Sequence, residues 1–312
     1  MKKIIMDKKI LITGASGFIG KNLQEQLASK YKFLAPSHQK LDLLDTEKVY
    51  RYLSKNKPDV VIHSAFIGGA RNFNGVNEYL HHKTKESIIK PNMRMLVNLL
   101  RGQNFFKRMI IFGSGAEYDK SRDLKKVKES DFNKAIPNDE YGFSKYLCSL
   151  MIKNLPKIIS LRFFGVYGKY EDYRTRFISN AICKMLLGLP ITINQNVYFD
   201  YLYVEDLVKI VDYFISHKPK HKFYNVGRGQ SIDLITLAKI IKSRGGKKIS
   251  IKIFKQGLNK EYTCNISRLK KEIPNLQFTG FNKSITKLIN YYRSILPAIK
   301  KEELDEANKK SH

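Results

Sequence analysis

The chain has 312 residues, enough for one large domain or two unequal ones, and its hydrophobic fraction of 43% is that of a globular protein. Its net charge of +29 arises from 57 Lys and Arg against 28 Asp and Glu, spread along the chain without a basic block or a nucleic-acid-binding motif. These features disfavour a nucleic-acid binder and indicate a lysine-rich solvated surface, with weak attraction to acidic membranes or nucleic acid as the alternative.

The first pattern along the chain is a short apolar strand that runs into a glycine-rich turn. Residues 9–12 are largely β-branched and aliphatic, and Gly14, Gly17 and Gly20 follow at a spacing of three before an amphipathic helix that extends to about Ser29. Gly14 permits a tight turn, Gly17 lets a pyrophosphate approach the backbone, and Gly20 lets the helix pack on the strand. The pattern predicts a dinucleotide site; the alternative is a glycine turn in another kind of α/β protein.

Strands and helices then alternate. Strands are predicted over 31–35, 58–65, 108–112 and 158–164, and helices over 46–55, over 83–101 and from about Tyr141. This order predicts a parallel sheet, and ligands of such sheets collect at the carboxyl ends of the strands. Four of these ends carry Gly14, Ala65, Ser114 and Phe164.

Three residues of this region suggest proton-transfer chemistry. Tyr141 and Lys145 are four residues apart on a predicted helix, so the ammonium can lie near the phenol and favour its ionised form. Ser114, at a strand end, can hold the reacting oxygen beside the phenol. Tyr and Lys at this spacing also occur by chance on helix surfaces, and the combination with the glycine turn is what favours a catalytic role.

Together these motifs resemble the extended short-chain dehydrogenase/reductase family of nucleotide-sugar epimerases, dehydratases and reductases. The similarity continues through residues 161–168, 199–207, 223–227 and 265–269 and so covers the chain to about residue 295. Phe199 and Asn265 depart from the family pattern, where many relatives have Arg and Asp.

The resemblance implies an α/β fold, a Rossmann-type doubly wound parallel sheet with a smaller, discontinuous C-terminal substrate domain. The expected dinucleotide-binding domain comprises 1–166 and 200–218, the nucleotide-sugar-binding domain 167–199 and 219–299, and a charged tail 300–312. A homodimer is expected. The three Cys residues have no metal-ligand or disulfide spacing and no run of 18 apolar residues occurs, so we expect a cytoplasmic protein without a metal site or stable membrane insertion.

By the same resemblance, Ser114, Tyr141 and Lys145 form the catalytic triad. The predicted cofactor-binding residues are Gly14, Ser16, Gly17, Phe18, Ile19, Gly20, Ser37, His38, Lys40, Asp42, Leu43, Ser64, Ala65, Tyr141, Lys145 and Phe164.

The end of the second strand favours NADP(H) over NAD(H). NAD-preferring Rossmann sites usually place a carboxylate there to bind the ribose hydroxyls. This chain has no carboxylate in 36–40, and Ser37, His38 and Lys40 can instead receive a 2′-phosphate. The segment around Asp42 and Leu43 resembles NADPH-dependent 4-ketosugar reductases.

The expected reaction is reduction of the C4 keto group of a nucleotide-linked 4-keto-6-deoxy or related sugar, in surface-polysaccharide sugar biosynthesis. Dehydratases of the family have an Asp-Glu pair where this chain has Gly115 and Ala116, and no histidine lies between His82 and His217 to serve epimerisation at C3 or C5. An NAD-dependent nucleotide-sugar 4-epimerase is the alternative. A catalytically silent dinucleotide-binding regulator is a more distant one.

Overall fold

The chain forms a six-stranded, all-parallel sheet, as predicted. The computed structural model describes residues 8–68 and 87–305 and orders the strands β10-β6-β4-β3-β1-β2. Their bounds are β1 Lys9–Thr13, β2 Lys32–Leu34, β3 Val60–His63, β4 Arg108–Ser114, β6 Ile158–Phe163 and β10 Phe223–Val226.

Alternate side chains of β1 show why the sheet is apolar on both faces. Ile10 and Ile12 are buried in one core, whereas Leu11 between them is buried in a second core on the opposite face. Successive residues of a strand point to opposite faces, so a strand covered on both sides reads as a continuous apolar run. This is why residues 9–12 could be predicted as a strand.

Helices cover both faces of this sheet. α1 (Phe18–Leu27) and α6 (Val204–Ser216) contribute to the core around Ile10, and α2 (Thr46–Asn56), α3 (Ile89–Arg101) and α4 (Glu140–Ile152) contribute to the core around Leu11. The Asp45 carboxylate caps α2 by accepting the Lys48 N–H at 3.0 Å.

A second group of elements surrounds a separate hydrophobic core. A mixed sheet contains β5, β7, β9, β11 and β13, a parallel pair contains β8 and β12, and α5, α7 and α9 pack beside them. Their bounds are β5 Leu124–Val127, β7 Gly165–Tyr167, β8 Ile191–Asn196, β9 Tyr198–Tyr203, β11 Ser231–Asp233, β12 Ile251–Leu258, β13 Tyr262–Cys264, α5 Phe177–Leu186, α7 Leu234–Gly245, α8 Ser267–Glu272 and α9 Phe281–Ser294. Leu124 of β5, Cys264 of β13 and Leu269 of the short helix α8 are instead buried in the core around Ile10.

The structure differs from the sequence-based boundaries in several places. β5 and most of β9 lie in the second sheet, although residues 1–166 and 200–218 were expected to form the dinucleotide-binding domain. β10 pairs with β6 in the first sheet, although residues 219–299 were expected to belong wholly to the second domain. α3 begins at Ile89 rather than at 83, and residues 83–86 lie outside the described part of the chain. The start of the expected charged tail is packed: residues 301–305 form a 3₁₀ helix whose Leu304 is fully buried.

Within residues 8–68 and 87–305, no helix combines the length and the apolar character needed to cross a bilayer.

Candidate active site

The glycine turn after β1 is closely packed at two of its glycines and open at the third. Gly14 has a φ of 71°, and a Cβ on it would lie 2.6 Å from the backbone nitrogen of Ala65. A Cβ on Gly20 would lie 2.4 Å from the Gly14 carbonyl oxygen. At Gly17 a Cβ would meet only that same oxygen, at 3.3 Å. The two ends of the turn therefore exclude side chains, while its middle leaves the backbone open to a ligand.

Helix α1 starts directly after this turn without a side-chain cap. Gly17 is its N-cap and supplies no capping side chain, Ser16 is exposed, and Phe18 and Ile19 occupy the first turn half-buried. A helix N-terminus with free N–H groups and a positive dipole end is suited to bind phosphate oxygens. These residues fit the pyrophosphate of a dinucleotide.

A buried histidine supports the adjacent end of β3. The Thr13 hydroxyl and His63 Nδ1 are 2.9 Å apart, and the Ala65 N–H donates to the Thr13 hydroxyl at 3.4 Å. Burial, with a smaller effect of the Lys145 charge, lowers the pKa of His63 to about 3, so its imidazole is neutral at physiological pH. Ser64 and Ala65 are thereby fixed beside the glycine turn.

The segment after β2 presents polar side chains to solvent. Ser37, His38 and Lys40 are all exposed, and His38 Nε2 lies 3.5 Å from a carboxylate oxygen of Asp42. Leu43 is buried in the core beneath. The exposed hydroxyl, imidazole and ammonium groups suit a phosphate.

Ser114, the last residue of β4, is held by the turn that follows it. The Ala116 N–H donates to the Ser114 hydroxyl oxygen at 3.1 Å, and the Ser114 N–H donates to the Glu117 carboxylate at 3.0 Å. Ser114 is 5% exposed, so its hydroxyl is kept from bulk water. The reciprocal hydrogen bonds form a capping box that fixes this backbone.

Helix α4 positions Tyr141 and Lys145 on the same side of its first turns. Asp139 caps the helix by accepting the Gly142 N–H at 2.9 Å. The Lys145 ammonium donates to the Phe112 carbonyl oxygen at 2.7 Å and lies 4.2 Å from the centre of the Phe66 ring.

Phe66 links this pair to the end of β3. Its ring meets the Tyr141 ring edge-to-face, with 5.2 Å between centres. These contacts bring the ends of β3 and β4 against α4.

One residue of the site was missed by the sequence analysis. The phenol oxygen of Tyr262 lies 2.6 Å from where a Cβ on Gly115 would stand, and the same Cβ would meet the Phe164 ring at 2.6 Å. The rings of Tyr262 and Phe164 are 4.9 Å apart, and that of Tyr262 is 5.7 Å from Phe199. Tyr262 belongs to β13, and only its aromatic character in a short strand marked it in the sequence.

Glu117, which accepts the Ser114 N–H, forms a buried ion pair with Arg162. Arg162 Nε donates to the Glu117 carboxylate at 2.6 Å, and the Ser149 hydroxyl donates to the same oxygen at 2.6 Å. The Arg162 guanidinium also donates to the Tyr118 hydroxyl at 3.0 Å. Glu117 is thus fully engaged as a structural carboxylate.

A comparison with family models matches residues 10–227 to the NAD dependent epimerase/dehydratase family. Among curated relatives, GDP-L-colitose synthase of Yersinia pseudotuberculosis is 27% identical over 255 residues, covering 75% of this chain and 80% of the relative. ADP-L-glycero-D-manno-heptose-6-epimerase of Brachyspira hyodysenteriae is 24% identical over 268 residues, covering 75% and 80%.

Solved structures share the fold over nearly the whole chain. A GDP-L-fucose synthetase of Naegleria fowleri bound to NADP has a TM-score of 0.80 at 17% identity, covering 95% of each chain. The GDP-mannoheptose C4 reductase of Campylobacter jejuni with NADP bound has a TM-score of 0.74 at 18% identity, covering 92% of this chain and 98% of that one. UDP-glucose 4-epimerase of Thermotoga maritima with UDP-glucose has a TM-score of 0.76 at 20% identity, covering 92% and 99%.

Proposed function

The chain belongs to the NAD dependent epimerase/dehydratase family, and on that premise we propose that it is an NADPH-dependent reductase of a nucleotide-linked 4-keto-6-deoxy or related sugar. A nucleotide-sugar epimerase or reductase role is what its named relatives have in common. The finer assignment depends on the residues around Ser114.

The assignment as a reductase rather than a dehydratase rests on the side chains that surround Gly115. Elimination of water needs an acid beside the sugar, and the space next to Gly115 is filled by the Phe164 ring and the Tyr262 phenol. The nearest carboxylate along the chain, Glu117, is buried in its ion pair with Arg162. The position next to Ser114 therefore supplies no dehydratase acid, which supports a reaction that needs only Ser114, Tyr141 and Lys145.

In this reduction, Ser114, Tyr141 and Lys145 would each have a separate role. The Ser114 hydroxyl donates a hydrogen bond to the C4 oxygen, and Tyr141 gives its phenolic proton to that oxygen as it becomes a hydroxyl. The positive charge of Lys145 compensates the tyrosinate that remains. Bound at the glycine turn, NADPH supplies the hydride that C4 receives.

NADPH is favoured by the exposed Ser37, His38 and Lys40 after β2, because residues 36–40 contain no carboxylate to bind the ribose hydroxyls of NAD, and the Asp42 carboxylate nearby is 3.5 Å from the His38 ring. The NAD-dependent 4-epimerase remains the second candidate, because the same Ser, Tyr and Lys suffice to oxidise and re-reduce C4. An epimerase returns the hydride to its substrate and so retains its cofactor.

Cofactor stoichiometry tests the proposal. The protein is incubated with NADPH and 4-keto-6-deoxy sugars linked to GDP, CDP, dTDP and UDP. The GDP-linked sugars come first because GDP-L-colitose synthase is named for a GDP-linked sugar. We expect one NADPH oxidised per keto sugar reduced. Interconversion of two hydroxyl epimers by protein purified with bound NAD, without net cofactor turnover, would replace the reductase with the epimerase.

A further inference from the structure

We propose that the exposed side of strand β12 docks on the surface of an anionic lipid bilayer. This β12 surface consists of Lys252, Phe254, Lys255 and Leu258 of the strand and Lys260 just after it, all of them exposed. Docking there is independent of the proposed function, because none of these residues binds cofactor or sugar in the reaction given above. It supplies a use for the positive charge that the reaction leaves unexplained.

Two large apolar side chains of β12 project into solvent. Phe254 is 57% exposed and Leu258 is 60% exposed. Ile251 and Ile253 pack against the core of the second group of elements, and successive residues of a strand point to opposite faces. Lys252 and Phe254 therefore lie on the face of β12 that is turned away from this core. Exposed apolar side chains that adjoin polar ones are typical of surfaces that bind a partner or a membrane.

The position of β12 at the edge of its sheet suits a membrane interface. Within residues 8–68 and 87–305, β12 pairs only with β8, so its other backbone edge is open. Water and lipid headgroups can satisfy such an edge, whereas the hydrocarbon interior cannot. Phe254 and Leu258 are four residues apart, about 13 Å along a strand, so one patch of bilayer spans both. Only their side chains need to enter the boundary between headgroups and acyl chains.

Basic residues surround these two apolar side chains. Residues 234–260 contain eight Lys and Arg and no Asp or Glu, although they form no contiguous basic run. The acids that border this stretch, Asp233 and Glu261, each accept a hydrogen bond from a threonine hydroxyl, at 2.6 and 2.5 Å. The stretch therefore has a net charge of +8. Lysines at this density are attracted to the negative surface potential of anionic lipids.

The combination of charge and apolar side chains favours a bilayer over other occupants. A second copy of the chain paired along β12 would bring two such basic stretches together, and like charges repel. Nucleic acid offers phosphates to the lysines and base faces to Phe254, but nothing to the aliphatic Leu258. An anionic bilayer offers charged headgroups to the lysines and an acyl boundary to both Phe254 and Leu258.

Tryptophan fluorescence tests the proposal, because the chain contains no Trp. Phe254→Trp places a single reporter on the β12 surface. Vesicles of equimolar phosphatidylcholine and phosphatidylglycerol should shift its emission to shorter wavelength, and vesicles of phosphatidylcholine alone should not. The matched control is Tyr50→Trp on α2, where Tyr50 is 42% exposed, and its emission should not shift with either vesicle.

Sedimentation with the same anionic vesicles measures affinity in variants without the reporter. Phe254→Ser should weaken binding at least about tenfold, because it removes the larger inserted side chain. Lys252→Gln should weaken binding about fivefold, as for one lysine at an anionic surface. Lys55→Gln makes the same charge change at an exposed position of α2 and should leave binding within about twofold. Thermal unfolding of Phe254→Ser should match the wild type, because Phe254 is exposed.

Failure of the wild type to bind anionic vesicles would overturn the proposal, as would wild-type binding by Phe254→Ser. Equal weakening by Lys252→Gln and Lys55→Gln would show attraction to net charge alone and would also overturn it. A single-stranded oligonucleotide that displaces the protein from vesicles, and that Phe254→Ser binds less tightly, would assign the β12 surface to nucleic acid instead. None of these measurements uses turnover, so the proposed reductase is tested separately.

Discussion

The Arg162 guanidinium and the Glu117 carboxylate form an ion pair with 2.6 Å between nitrogen and oxygen, and both side chains are buried, with 1% and 0% of their surface exposed. Since Glu117 also accepts the Ser114 N–H, this pair connects β6 to the backbone of Ser114. The pair thus serves the geometry of the site as well as the stability of the core.

Replacing Glu117 with Gln should destabilise the fold by about 3–5 kcal/mol, because it leaves the Arg162 charge buried without a counter-charge. Urea unfolding measures the change. Lys107→Gln removes an exposed partner of Asp59, with 83% of the Lys107 side chain accessible, and should lower the free energy of unfolding far less than Glu117→Gln does, because water screens this pair. Equal losses in the two variants would contradict the structural role given to the Glu117 pair.

Tyr141→Phe should lower turnover about 10²- to 10⁴-fold, because it removes the proton donor while leaving the ring and its contact with Phe66. Fluorescence titration with NADPH should give an unchanged dissociation constant. Tyr146→Phe, on the same helix, loses only the hydrogen bond to Asn133 and should retain turnover within about twofold. If Tyr141→Phe keeps more than a tenth of wild-type turnover, another group donates the proton.

The parts of the site that could be predicted from the sequence are those encoded locally. The positive φ of Gly14, the helix after it and the spacing of Tyr141 and Lys145 depend on neighbouring residues, so short patterns contain them. Tyr262 lies beside Gly115 only because β13 pairs with β5 and β9, and no pattern within a few residues of Tyr262 indicates that pairing.

Lys40→Glu should raise KM for NADPH about tenfold and leave KM for NADH nearly unchanged, because Lys40 is exposed after β2, where the 2′-phosphate is expected. Initial-rate kinetics with each cofactor measure the effect. Lys55→Glu makes the same charge change in the last turn of α2 and controls for net charge. Comparable losses with both cofactors, or a wild type at least as efficient with NADH, would refute NADPH preference.

Glu171 should make stability fall as pH rises. Burial raises the pKa of Glu171 from 4.5 to about 7, with a smaller opposing effect of its hydrogen bond from Ser179. The folded state therefore binds this proton more tightly than the unfolded state. The stabilisation is complete below pH 4.5 and is lost as pH rises through 7, by roughly 3 kcal/mol.

Unfolding of wild type and Glu171→Gln across that pH range measures this contribution. The variant mimics the protonated acid, so its stability should stay nearly level where that of the wild type declines. Glu302→Gln, at an exposed position, should follow the wild-type profile. Parallel profiles for the wild type and Glu171→Gln would show that Glu171 titrates normally.

The same limit of local patterns explains two differences in the fold. β10 follows α6 and resembles any short apolar strand, so only its pairing with β6 assigns it to the first sheet. The tail after residue 299 is rich in charge, yet Leu304 is buried and its carbonyl accepts the Asn180 amide at 3.0 Å. The charged composition of this tail describes the segment as a whole and gives no sign that the single side chain of Leu304 is buried.

The position of β10 has a consequence for synthesis of the protein. Every residue of β6 is buried, and its outer edge pairs only with β10, which leaves the ribosome after residues 164–222. Until β10 is made, one edge of β6 has no partner strand in the sheet, and such unpaired edges are where nascent chains associate with one another. We therefore expect truncated chains that end before residue 223 to aggregate more readily than the full chain.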